Sequence, residues 1–466
     1  MSENKNSSKP AENSLISRKK FIGQAAAASA GIMIVPRHVL GGTGYKAPSD
    51  RLNIASVGIG GMGRNNTRNL SELGENIYAL CDVDHGYSGP VFMDYPGAKK
   101  YVDFRQMIDN EPEIDAVVVS TPDNTHGAIG IYAMQAGKHV YVEKPLTRTI
   151  YEARRMAQVA RETGVKTQMG NQGHAREGTH KIVDWIRQGA IGEVTKVDTW
   201  TNRPMGYWPQ GGTLQHPSEI PSVPGTLNWD LWIGPSPFRH YHPAYAPFRW
   251  RGWWDFGAGA LGDMGAHIID QPFWALDLGQ PDKIQASSTP FNEAAFPKGS
   301  TVHYEFPAKN DRPPVRLTWY DGGLLPPRPD NIEEGRQLGS SGGGMIFYGT
   351  DGTLMADVYG DNPRFIPESD INRIGEPDRT IPESPGIHAE WVNAIKNGGE
   401  ASSNFEYAAA LTEMMLVGNV AVKFSDRHQK LEYDAENMRF TNLDDANEWL
   451  NRRKNEFRPG WKEIIG

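Results

Sequence analysis

The residues best spaced for chemistry stand in three short runs. In Arg51–Gly63, RLNIASVGIGGMG, the glycines Gly58, Gly60 and Gly63 keep a G-x-G-x-x-G spacing, and Asp82 follows Gly63 by nineteen positions. Each glycine has a task in holding a dinucleotide: a tight turn, room for a pyrophosphate against the backbone, and close packing of helix on strand. A helix N-terminus behind the turn offers free N–H groups and partial positive charge to phosphate, so the whole turn, Gly61 and Met62 included, is expected to lie against the cofactor. Asp82 would accept both ribose hydroxyls of NAD and repel the extra phosphate of NADP. With 51 glycines in the chain, the spacing alone also fits a Gly-rich turn. An apolar strand before it, a helix pattern after it and an acid at the right distance favour the nucleotide. The second run is Glu143-Lys144-Pro145. The third is Gly259–His267, GALGDMGAH, which opens a helix with Asp263 and His267 four apart on one face. An imidazole there suits a general base, because its ordinary pKa lies near working pH. The plainer reading makes Asp263 a helix N-cap and His267 a core residue. Asp263 with His267, or His240 with His242, also has ligand-like spacing, but no third and fourth ligand stands nearby and no metal is expected.

These runs need elements to position them. Leu52–Val57, Ile77–Cys81, Ala116–Ser120, His139–Val142 and Val165–Met169 read as short apolar strands; AVVVS is a β-branched run suited to burial on both faces. Between them lie helical patterns over Arg64–Leu73, Thr125–Ala136 (stopped by Gly137) and Ile150–Thr163 (Thr149 as N-cap, Gly164 beyond its end). Alternation of strand and helix means a doubly wound parallel sheet, whose ligands sit beyond the strand C-termini. Thr121, Pro122, Asn124, Glu143 and Lys144 stand at that edge, as does Gly170–His174. With His126 and Gln172 they complete the expected cofactor set.

The ordered series GIGGMG, CDVD, STPDNTH, GKHVYVEKP and GALGDMGAHIID resembles the glucose–fructose oxidoreductase / inositol dehydrogenase (Gfo/Idh/MocA) family, from Arg51 to about Ser425. The resemblance implies an α/β protein: an N-terminal Rossmann domain, then a C-terminal α/β domain with a large, mostly antiparallel, open-faced sheet. It implies NAD(P)-dependent chemistry on sugars or polyols, and a homodimer or homotetramer formed through the outer face of that sheet. Carried over by motif, Lys144, Asp263 and His267 are the catalytic set. His267 takes the proton of a secondary alcohol, Lys144 stabilises alkoxide character, and Asp263 orients a substrate hydroxyl or the imidazole. Asn171, His174 and Arg176 would line the junction of cofactor and substrate.

The implied division is 1–50 export signal and linker, 51–170 NAD-binding domain, 171–425 substrate and oligomerisation domain, and 426–466 a C-terminal extension. Runs at Ile284–Ser288, Val302–Phe306, Val315–Tyr320, Met345–Tyr348 and Leu354–Asp357 alternate apolar and polar residues, as in a half-exposed sheet. Asp321–Gly344, rich in Pro and Gly, reads as a mobile loop, and Ile387–Lys396 and Glu406–Lys423 as helices returning to the Rossmann domain. Arg203–Arg251 is irregular and loaded with aromatics, followed at once by Trp253 and Trp254. Long loops of this kind are usually functional, and indole faces suit the C–H faces of a pyranose, so Trp253 and Trp254 are expected at the substrate; the alternative is an aromatic core beneath a long loop.

At 466 residues, 38% hydrophobic and 22% charged, the chain has the size and composition of a multidomain globular protein. Its net charge of −8 argues against a general nucleic-acid binder. Cys81, the single cysteine, can form no disulfide within the chain. Ser17-Arg18-Lys19-Lys20-Phe21 leads into the alanine-rich Gly23–Val35, a basic region and apolar stretch too short to span a bilayer. It resembles a twin-arginine signal with Lys19 in the second arginine's place, and points to the periplasm, with a cytoplasmic protein carrying a basic tail as the alternative. No A-x-A cleavage site stands near Pro36–Gly44. The expected activity is hydride transfer between a sugar or glycoside hydroxyl, with C3 a plausible centre, and a tightly bound NAD. A redox-assisted glycosidase and a non-catalytic binder of sugar or cofactor are the competing readings.

Overall fold

A computed structural model describes residues 50–212, 214–455 and 457–466. The export signal and linker expected over residues 1–50 lie, apart from Asp50, outside the described residues.

Strands β1 (Asn53–Val57), β2 (Asn76–Cys81), β3 (Lys99–Tyr101), β4 (Ala116–Val119), β5 (His139–Val142) and β6 (Thr167–Met169) make one sheet in the order β3-β2-β1-β4-β5-β6. Every pairing is parallel. β4 is buried at all four positions, which its β-branched run requires of a strand covered by helices on both faces. The helix Ile150–Thr163 begins where Thr149 accepts the Glu152 N–H and ends at Gly164, whose φ of +67° lies in the left-handed region open to glycine. The chain changes direction between β1 and β4, so ligands gather above that point.

The second sheet holds nine strands: β7 (Val194–Thr201), β8 (Lys283–Ser288), β9 (Ser300–Phe306), β10 (Val315–Tyr320), β11 (Gly343–Gly349), β12 (Thr353–Asp357), β13 (Arg364–Ile366), β14 (Leu431–Asp434) and β15 (Arg439–Phe440). Their order is β13-β12-β11-β7-β10-β9-β8-β14-β15, antiparallel except for the β7–β10 pair. Val197, Val302, Leu317, Trp319 and Phe347 turn one face into a core shared with the helices Gly259–Ile268 and Phe405–Lys423. Phe405–Lys423 is apolar almost all round because it lies between β8 and the helix Ile150–Thr163, joining the two halves. Helix Ile387–Asn397 also returns to the parallel sheet: Ile387, Trp391 and Val392 pack with Ile54, Ile59 and Leu70, and Lys396 pairs with Glu75 at 2.7 Å.

Three stretches differ from expectation. Asp321–Gly344 is not a free loop: Ile332 and Leu338 cover Trp200, Ile346, Met355 and Ile366 on the opposite sheet face, and Asn331 Nδ2 donates to the Ile366 carbonyl at 2.8 Å. The two apolar residues that pin it are isolated among Pro and Gly and show no periodicity. Residues 426–466 are no appendage, since β14 and β15 continue the sheet and 457–466 reach the nucleotide half. The 203–251 stretch carries a short helix, Trp229–Ile233, capped by Asn228. No helix among the described residues is long and apolar enough to cross a membrane.

Candidate active site

A cleft with about 1270 Å³ of open space runs along the C-terminal edge of the parallel sheet. The Gly58–Met62 turn, Asp82, Asp103, Thr121, Pro122, His126, Glu143 and Lys144 line its floor. Gly58 has φ +75°, and a Cβ on Gly63 would lie 1.8 Å from the Gly58 carbonyl oxygen, so both positions demand glycine. Helix Gly61–Glu72 begins with no side-chain cap and no acid in its first turn, leaving its leading N–H groups to an anion in the cleft. Asp82 fixes this turn from below. One carboxylate oxygen accepts the N–H of Ile59 at 2.9 Å and of Gly60 at 3.4 Å, and the other that of Asp84 at 2.8 Å. Burial pushes Asp82 up to about 6 although these N–H groups pull it down. The residues thus fit a dinucleotide: an uncapped helix end for the pyrophosphate and acids for the adenosine ribose.

The opposite wall was not legible in the motifs. Leu231, Trp232, Phe248, Trp250 and Arg251 come from the aromatic stretch, and Trp461 from the position just before the last helix, Lys462–Ile465. Backbone bonds tie that stretch to the end of β2: Asn228 N–H to the Val83 carbonyl at 2.8 Å, and His85 N–H to Thr226 at 3.0 Å.

At the end of the cleft beyond β5, the two halves meet through charge. Lys144 Nζ donates to Asp263 Oδ1 at 2.8 Å and to the Asp263 carbonyl at 3.0 Å, and Arg251 Nε reaches the same Oδ1 at 3.4 Å. Burial alone would raise the Asp263 carboxyl, but Lys144 and Arg251 hold it well below the carboxylate range. His267, one helical turn on, is 3% exposed; burial and then the Lys144 charge push its pKa well below the imidazole range. Its Nδ1 is buried without a hydrogen bond. The Tyr359 ring stands edge-on to it at 4.6 Å. Tyr359 has φ +67°, a left-handed conformation costly for a side chain of this size, and such strain gathers at functional sites. Asp123 lines the cleft beside this group, and burial raises it to about 7 against the pull of Arg251 and Lys144. Asp263 is therefore no N-cap: Ala258 occupies that place. Its contacts run to Lys144 and Arg251. Among the described residues no three His, Cys, Asp or Glu gather to hold a metal.

Other expected site residues stand elsewhere. Trp253 and Trp254 are buried away from the cleft lining: Trp253 stacks on His216, and Trp254 lies 3.5 Å from Phe296, ring to ring. With Trp229, Trp232, Tyr245, Trp250 and Phe256, Trp253 forms a core inside the loop, so stacking among the aromatics has consumed most of their faces. His174 Nδ1 meets both Asp270 carboxylate oxygens at 3.0 Å and its ring stacks on Trp274. Arg176 is exposed, pairs with Asp361 and covers the Tyr359 ring. Asn124 Nδ2 donates to the Ile233 carbonyl at 2.7 Å, tying the aromatic stretch down rather than lining the cleft. Gln172 Nε2 donates to Glu143 Oε1 at 3.1 Å, bracing a residue that does line it. Asn171 is fully buried with neither amide atom hydrogen-bonded. Arg251, Asp123, Tyr359 and Trp461 went unrecognised from sequence; Asp123, inside STPDNTH, and Arg251, twelve residues before Asp263 in a dense aromatic run, carried a signal, and Tyr359 and Trp461 carried none.

Residues 52–171 match the family model described as "Oxidoreductase family, NAD-binding Rossmann fold", and 179–307 match its "C-terminal alpha/beta domain"; both are Gfo/Idh/MocA models and together cover over half of the chain. The chain belongs to the Gfo/Idh/MocA family of oxidoreductases. Its parallel sheet is that family's NAD-binding domain. Among curated relatives, a scyllo-inositol 2-dehydrogenase (NAD(+)) of Bacillus subtilis is 33% identical over 122 residues, 26% of this chain and 35% of that protein. A glycosyl hydrolase family 109 protein of Shewanella sp. (strain ANA-3) is 27% identical over 205 residues, 38% and 44% of the two chains. Both alignments span less than half of the relative's length. The WlbA dehydrogenase of Bordetella pertussis, solved with NADH and UDP-GlcNAcA, superposes with a TM-score of 0.56 at 19% identity, over 82% of this chain and 99% of that one, and so shares the fold.

Proposed function

We infer that this Gfo/Idh/MocA protein transfers hydride between a secondary hydroxyl of a sugar or glycoside, at C3 of a glucoside in the first instance, and an NAD retained in its cleft. The observation that carries this is the contact of Lys144 with Asp263 at the end of the cleft, with His267 one turn further along. The sugar is supported by the relative named for inositol dehydrogenation and by the sugar nucleotide bound to the WlbA dehydrogenase. When bound, the nicotinamide supplies the hydride acceptor. Lys144 has two N–H bonds on Asp263 and a third free to hold the reacting oxygen and steady its developing charge. Asp263, kept ionised by Lys144 and Arg251, fixes that ammonium. His267, neutral in its buried place, takes the hydroxyl proton.

The test is purified protein with a panel of sugars and aryl glycosides, read by mass spectrometry for loss of two hydrogens. Lys144→Met and His267→Ala should each lower turnover by two or more orders of magnitude. Unchanged turnover in both variants would leave a protein that binds sugar or cofactor without catalysis. A second reading is redox-assisted glycoside cleavage, favoured by the enclosing wall of Trp232 and Trp250 and by the family 109 relatives. Oxidation at C3 makes the C2 proton acidic, elimination expels the aglycone, water adds, and reduction restores the hydroxyl. Aglycone released without net NADH supports that course; a stable keto-sugar supports plain dehydrogenation.

We further propose that residues 17–35 direct export by the twin-arginine route, and that a retained, recycled cofactor suits a compartment poor in free NAD. Cell fractionation finding the protein in the cytoplasm alone would refute this. The open part of the outer sheet face, over β8, β9 and β10, is proposed as the surface of a homodimer or homotetramer.

A further inference from the structure

Segment 457–466 ends in the nucleotide half although it follows the strands of the other sheet. Arg458 anchors it: its N–H donates to the Pro235 carbonyl at 3.2 Å, and its guanidinium to the Asp230 and Gly234 carbonyls at 3.1 and 3.2 Å. Phe457 and Ile465 are buried, and the turn between them delivers Trp461 to the cleft lining. The indole lies 5.9 Å from the Phe104 ring, with the Arg105 guanidinium 5.2 Å above it. Phe104 follows β3, at one extreme of the parallel sheet, whereas Lys144 follows β5 on the far side of β1. The end lined by Trp461, Phe104, Val102 and Ile129 is therefore remote from the hydride-transfer residues and adjoins Asp82, the ribose acid of the adenosine half. Its rings and aliphatic side chains offer flat apolar walls that suit a purine ring, and the Asp103 carboxylate between Val102 and Phe104 repels a phosphate.

We propose that Trp461 forms the adenine-binding wall of the cleft, so that segment 457–466, contributed from beyond the second sheet, governs how long the dinucleotide stays bound. This rests on NAD lying along the cleft with its adenosine half over β2 and β3. An adenine entering or leaving has to pass between Trp461 and the β2–β3 edge, and loss of the indole opens that gap. Base-on-aromatic contact of this kind is worth on the order of tenfold or more in affinity.

The test uses the full chain. NADH is displaced by excess NAD in a stopped-flow instrument and its fluorescence followed. Trp461→Ala should raise the dissociation rate by about tenfold and Trp461→Phe by less. ADP-ribose, which carries the adenosine half, should lose affinity by a similar factor, while nicotinamide mononucleotide should not. NADH dissociation and ADP-ribose affinity both unchanged in Trp461→Ala would overturn the proposal, whatever the variant's melting temperature, because a purely structural indole would alter only that. Equal losses for ADP-ribose and nicotinamide mononucleotide would also overturn it. If the unaltered protein binds neither NADH nor ADP-ribose, the placement of NAD fails first and this proposal with it.

Discussion

At the scale of single residues, the site is a group of charges held where water would normally screen them. Asp263 illustrates the balance. Its burial opposes ionisation, and two cations within 3.4 Å reverse the outcome. Asp123, close by, goes the other way, because burial dominates and its carboxyl rises to about 7. The folded protein then binds a proton there that the unfolded chain has released above about pH 4, so this residue lowers stability as pH climbs from 4 to 7. Asp123→Asn keeps an acceptor for the Ala258 N–H and removes the buried charge. It should stabilise the fold at pH 8 by about a few kcal/mol, seen as a higher melting temperature, with the gain fading below pH 4. A thermal-shift series across pH checks it; a constant difference would mean Asp123 does not titrate in that window. His267 has the opposite sense. Burial lowers its pKa well below the usual imidazole value, so the acid limb of kcat/KM should fall below pH 6.5, and a limb centred there would exclude His267 as the base.

At the scale of elements, the glycine turn shows why local sequence sufficed in one place and failed in another. Gly58 and Gly63 serve a single backbone approach: the carbonyl of the first fills the space a Cβ would need on the second. Gly63→Ala forces helix Gly61–Glu72 off β1 and should destabilise the fold by about 1–3 kcal/mol while weakening NAD binding. Calorimetry with and without NAD would separate the two effects, and a fully stable variant of unchanged affinity would contradict the packing argument. Thr149, Gly164 and the AVVV strand were readable for the same reason, since each obeys a rule confined to a few neighbouring residues. The cover formed by Ile332 and Leu338 was not, because what makes it a cover is the far sheet face beneath it.

Taken as a whole molecule, the protein puts the two members of its charged pair on different halves, Lys144 after β5 and Asp263 on a helix 119 residues later, and Phe405–Lys423 sets their spacing. The outer sheet face bears on assembly. One part is shut by residues 321–342, leaving β8 to β10 for a partner. Light scattering should give a dimer or tetramer, and Gln285→Asp or Thr301→Arg, on the partly exposed outward positions of β8 and β9, should shift it toward monomer; an unaltered protein that is monomeric at micromolar concentration would remove that proposal. By itself, the sequence determined the Rossmann half and its cofactor, because glycine spacing, strand periodicity and ordered motifs are local properties; the lysine, aspartate and histidine were singled out through the family resemblance. Only the tertiary structure decided which aromatics face the cleft and which face one another, that Asp263 is bound to Lys144 and Arg251, and that Trp461 returns to wall the nucleotide. Those are contacts between residues tens to hundreds of positions apart, and no short-range preference encodes which surface a side chain finally meets.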